Sequence, residues 1–180
     1  MKSHHLLAAM PPPLVTEILE YNFANDKKVY RVALEAVAQM RKLRPVFLER
    51  QPRSERHATM AVALTRPTLE LAADTLIRNW LLKKYTPMLT DFLDALKISH
   101  EKGAVENLPA SVEDTALHSA VEGLLSKYPP EIVRVYLHAF GDMNDARWPN
   151  LEALLQNDAR LKLQRAEPGQ GESKTGVHLD

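Results

Sequence analysis

A chain of 180 residues with 45% hydrophobic content is long enough for one domain with a proper core, which excludes wholesale disorder. It contains no cysteine, which excludes disulfides, thiolate nucleophiles and Cys-ligated zinc. Its formal charge is zero, yet residues 1–90 hold 14 Lys and Arg against 8 Asp and Glu, and residues 91–180 hold 9 against 15, so the halves carry +6 and −6.

The opening run Leu6-Leu7-Ala8-Ala9-Met10 is shorter than the roughly 7–15 apolar residues of a secretory signal, and Pro11-Pro12-Pro13 stops it. No window approaches the roughly 20 apolar residues of a membrane span. These readings predict a soluble, cytoplasmic protein with no membrane association, and residues 1–12 are expected to be a flexible leader. His4-His5 is a native pair rather than a tag.

Strand signals are nearly absent: only six glycines occur, with no Asn-Gly or Asp-Gly turn. Helical periodicity recurs instead, punctuated by prolines. Leu14, Val15, Ile18 and Leu19 open a first short helix with prolines in its first turn, where the missing N–H has no partner to lose. A second, about Asp26 to Leu43 with Asn25 or Asp26 as cap, carries Tyr30, Ala33, Leu34 and Val37 on one face, and Arg44-Pro45 ends it. Ser54 is the expected cap of a third helix through His57, Met60 and Leu64.

Pro67 starts a longer helix to about Tyr85, lined by Leu69, Ala73, Leu76, Ile77 and Trp80, and Thr86-Pro87 starts the next. Residues 99–110 form the longest internal loop. Ser111–Asp114 is a capping-box variant opening a helix with Leu117, Val121 and Leu124. Pro129-Pro130 restarts the chain, Gly141 is the expected stop, and Pro149 opens a last short helix. Trp80 is assigned to the core, and Trp148 to covering a helix end. From Ala166 the chain is polar and glycine-rich. The expectation is an all-α fold, a single irregular helical bundle or orthogonal array of about seven to nine short helices over 13–165, with a disordered tail at 166–180.

No Gly-rich phosphate loop, nucleophile elbow, HExxH or Glu-x-x-His motif is present, so no cofactor is implied and no catalytic residue is assigned. Two constellations carry chemistry. Asp114, His118 and Glu122 recur every four residues on one helix face, with His138 and Asp142 at the same spacing on the next. Converging, they would suit a metal or an acid–base pair, the arrangement a metal-binding or small-molecule enzyme would need. The same spacing is also the ordinary composition of a solvated helix face. Asp142–Asp145 resembles the opening of a calcium loop but lacks its glycine and terminal Glu, and reads as a turn.

The second constellation is basic. Arg41, Lys42, Arg44, Arg50, Arg53 and Arg56 place six positive charges in sixteen residues against Glu49 and Glu55 alone. Such a stripe suits phosphates of a nucleic acid. Neutral overall charge and a single nearby aromatic, Phe47, favour a protein partner instead. The leading expectation is a non-enzymatic helical interaction module, an adaptor or scaffold, that docks through complementary charged faces around apolar anchors. Those six residues form one side, and Asp91, Asp94, Glu101 and Glu106 could serve on another. The partner is another protein or a second copy; the alternatives are a small-molecule or metal-binding helical enzyme and a nucleic-acid accessory role.

Overall fold

The computed structural model describes residues 1–144 and 147–163, and the expected tail at 166–180 lies outside them. The described residues are all-α, as the sequence predicts, in ten α-helices: α1 (Ser3–Ala9), α2 (Pro12–Asn25), α3 (Lys27–Met40), α4 (Pro45–Glu49), α5 (Arg53–Leu64), α6 (Glu70–Lys84), α7 (Thr86–Ala95), α8 (Asp114–Lys127), α9 (Pro130–Met143) and α10 (Pro149–Asn157). A 3₁₀ turn at Pro67–Leu69 leads into α6. No helix among the described residues is long and apolar enough to cross a membrane.

Helix α6 is the hub, packed against α1, α2, α3, α5 and α7. Its Ala73, Leu76, Ile77, Trp80 and Leu81 are essentially inaccessible to solvent, as the apolar face read from the sequence requires. Helices α7, α8 and α9 continue the core on the other side, where Phe92, Tyr136 and Phe140 meet edge to face at centroid distances of 5.3–5.8 Å. Trp148 closes that end: it is buried and donates from Nε1 to the Pro109 carbonyl at 2.9 Å.

Two of the ten helices are absent from the sequence expectation. Residues 1–12 do not behave as a flexible leader: α1 buries Leu6 and Leu7, with Met10 just beyond its end, between α6 and α9. Its N-terminus is satisfied from a distance, because Glu70 accepts from the backbone N–H groups of Ser3 (2.9 Å) and His4 (3.0 Å). The other is α4, a helix of five residues.

Several helix ends also differ. Asp26 caps α3 as expected, accepting from the Val29 N–H at 3.1 Å. Ser54 does not cap α5, which already starts at Arg53 after Pro52. The capping box fails because α8 starts at Asp114, whose carboxylate accepts from Asn150 instead. Gly141 lies inside α9, which runs on to Met143. In the 99–110 loop, Glu101 and Ala104 bond reciprocally around Lys102 and Gly103, both at positive φ (50° and 86°), which makes a tight hairpin turn.

Candidate interaction surface

The basic stretch is built around the end of α3. Leu43 donates its N–H back to the Ala38 carbonyl at 2.8 Å, closing the helix with Lys42 in the left-handed region at φ 57°. That sharp exit turns Arg41, Lys42, Leu43 and Arg44 outward, all exposed. Pro45 then starts α4, whose missing N–H costs nothing in a first turn. One side of α4 is anchored by Leu48, which is buried. The other presents Val46 and Phe47, and Phe47 is 55% exposed.

The resulting face has an apolar centre of Leu43, Val46 and Phe47. The same segment carries Arg41, Lys42, Arg44 and Arg50, which are exposed and make no ion pair among the described residues, and one exposed acid, Glu49. Arg41 also borders a groove of about 320 Å³ between α3 and α5, lined by Met40, Thr59, Val62, Ala63 and Arg66. No acidic side chain lines it. Large apolar side chains left in water within a polar rim are the usual mark of a contact surface.

Arg53 and Arg56 do not belong to this open face. Arg53 pairs with Glu20 of α2, Nε to Oε1, at 3.3 Å. Arg56 is 9% exposed and is a structural residue: its Nη1 donates to the Glu49 carbonyl at 3.0 Å, tying α5 to the end of α4. Its guanidinium lies 5.4 Å from the Phe23 ring centroid and 5.8 Å from that of Tyr30. Of the six basic candidates, four share the surface, one is half-engaged and one is internal.

Behind Arg56 sits His57, 2% exposed, with its ring 5.5 Å from Tyr30 and 6.1 Å from Phe23. Its Nδ1 is 3.2 Å from Glu20 Oε1, but the pair is not aligned as a hydrogen bond. Burial pushes the imidazole below its ordinary pKa of 6.5, and Arg56 and Arg53 push the same way against Glu20. Burial raises the Tyr30 hydroxyl. Tyr30 Oη, Arg56 Nε and both ring nitrogens of His57 are all buried without a hydrogen-bond partner.

The acidic–histidine constellation does not converge. Asp114 accepts from Asn150 Nδ2 at 2.8 Å, and Glu122 is held by Arg160. His118 is exposed on α8. His138 is taken up by the backbone, its Nε2 at 2.9 Å from the Leu161 carbonyl, and Asp142 pairs with the Met1 amino group at 3.0 Å. Among the described residues no group of three or more His, Asp or Glu could hold a metal ion. The spacing of four is real, but it places Asp114, His118 and Glu122 on an exposed face beside the buried Leu117, Val121 and Leu124.

On the proposed acidic side, Asp91 accepts from Tyr128 Oη (2.8 Å) and Lys127 (3.2 Å), and Asp94 contacts His100 at 3.1 Å. Glu101 and Glu106 are exposed in the loop. The apolar centre at Val46-Phe47 escaped the sequence reading, although two adjacent apolar residues just after a proline, with Leu48 alone to anchor them, are a signal of a short helix with one wet side. Compared with protein-family models, curated proteins and solved structures, the chain finds no match in any of the three.

Proposed function

We propose that this chain is a helical interaction module that docks an acidic partner protein on the face formed by the end of α3 and by α4. The observation that carries the reading is Phe47, left 55% exposed in a segment whose Arg41, Lys42, Arg44 and Arg50 are exposed and make no ion pair among the described residues. Aromatic side chains at the middle of a contact carry much of its affinity, and charges at the rim set orientation and association rate. The partner's matching surface is an apolar pocket or helix stripe bordered by Asp and Glu. The α3–α5 groove offers room beside Arg41 for one of its apolar side chains.

Affinity capture with the full chain as bait tests this, at low and at moderate salt and with a charge-reversed R41E/R44E bait in parallel. The reading requires one stoichiometric protein that is lost both as salt rises and on reversal. Capture that is indifferent to both overturns it. Recovery of nucleic acid through the same residues would assign the face to the alternative role.

A further inference from the structure

Seven buried side-chain nitrogen and oxygen atoms among the described residues have no hydrogen-bond partner, and four of them lie on Tyr30, Arg56 and His57. Such atoms are costly to leave unsatisfied, and among the described residues this junction gathers four of them while the other three lie singly on His4, Gln51 and Trp80. The junction is joined to the docking face by one side-chain bond among the described residues, from Arg56 Nη1 to the Glu49 carbonyl at the end of α4.

The charges around His57 are few. Glu20 faces it from α2, Tyr30 from α3, and Arg53 and Arg56 from its own helix. The other helices against α5 direct their charges elsewhere: His4 of α1 pairs with Glu70 of α6, and Asp74 with Arg78. With His57 neutral, the single carboxylate of Glu20 lies within 3.3 Å of both Arg53 Nε and His57 Nδ1. A proton on His57 would set a new cation beside Arg53 and Arg56, with the Glu20 carboxylate alone facing it. Arg53 is largely exposed and can swing into water. Arg56 is enclosed and can withdraw from the new charge only by leaving the Glu49 carbonyl.

We propose that His57 is a proton-operated latch on the docking face: when it takes a proton, Arg56 leaves the Glu49 carbonyl, and α4, with Phe47, loosens from α5. Mild acidification then releases the partner by disordering the surface rather than by discharging it, because Arg41, Lys42, Arg44 and Arg50 keep their charge throughout. The release of a partner rests on the docking reading given above. The loosening of α4 does not.

The two are separated by observing the free protein first. An NMR titration of the full chain from about pH 7.5 to about pH 5 follows the His57 ring together with the amides of Val46 to Arg50. The latch requires the α4 amides to shift and lose exchange protection with the same midpoint as His57, and H57Q to remove that step. Alpha-4 amides that stay still while His57 titrates overturn it, as does the same step persisting in H57Q. Should H57Q fail to fold, R56K replaces it: the shorter ammonium cannot span to Glu49, so α4 is already loose at neutral pH and the step disappears while His57 still titrates. A captured partner should lose affinity about tenfold across the wild-type step. A step in the free protein without that loss supports the latch and contradicts the docking reading.

Discussion

Glu70 and His4 are joined twice across 66 residues of sequence: the Glu70 carboxylate accepts from the backbone N–H of His4 at 3.0 Å and also contacts its ring Nδ1. With the Ser3 N–H on its other oxygen, this one side chain of α6 serves as the N-terminal cap of α1. The E70A variant should therefore lose about 1–2 kcal/mol of stability, the usual scale for a lost cap. The first amides to lose exchange protection should be those of α1. A chemical-denaturation midpoint unchanged by E70A would contradict this account of how the N-terminal helix is held.

The same pair gives stability an acid limb. Burial pushes the Glu70 carboxyl up, but the bonds from His4 and Ser3 together outweigh it and hold the group below its ordinary 4.5. A depressed carboxyl contributes stability that is complete above about its unfolded pKa and is lost as pH falls through the folded value. His57 is a base with a depressed pKa, so it favours the native state while neutral and withdraws that contribution as pH falls below about 6.5. Unfolding free energy against pH should show two descending limbs. E70Q should shrink the lower one and H57Q the upper, while Asp26, Asp91, Glu122 and Asp158, also held below their ordinary values, and His138, also lowered by burial, sustain the remainder.

Two glycines make opposite predictions. Gly103 sits at φ +86°, and a Cβ there would come within 2.9 Å of Leu89 Cβ, so G103A should destabilise by more than about 1 kcal/mol. Gly123 lies in α8 with nothing within 4 Å of its would-be Cβ, and G123A should stabilise by about 0.5–1 kcal/mol. Thermal unfolding of the two variants side by side checks both signs.

Asn22 is completely buried and bridges α2 to α6. Its Nδ2 donates to the Leu76 carbonyl at 3.2 Å, and its Oδ1 accepts from Asn79 at 2.8 Å. Replacing it with Leu should cost about 1–3 kcal/mol, because the buried Leu76 carbonyl and the half-buried Asn79 amide each lose a partner. Denaturant unfolding measures the loss, and N22L as stable as wild type would show those groups to be satisfied elsewhere.

The apolar periodicity of α2, α3, α6, α7 and α9 was enough to place them, because each buries one continuous stripe whose spacing is a local property of the chain. What could not be read locally was missed. Helix α1 is short, includes two histidines, and depends on a carboxylate 66 positions away. Arg56 is a different case: it precedes Met60 and Ala63 by four and seven residues, so the stripe of α5 already put it on the buried face. Its charge groups it with its exposed neighbours, but its register sets it inside. For Asp114, His118 and Glu122 the shared face was legible and its direction was left between a site and a solvated surface, because spacing fixes which residues share a face but not whether that face meets another helix.

The docking face itself is tested most directly by Phe47, whose side chain is half in water and supports little of the fold. We would compare F47A with the wild-type chain as bait, after measuring the stability of both. The account predicts unfolding free energies within about 0.5 kcal/mol of each other and a partner that wild type captures stoichiometrically and F47A does not. A partner held equally well by both baits would contradict the assignment of this face.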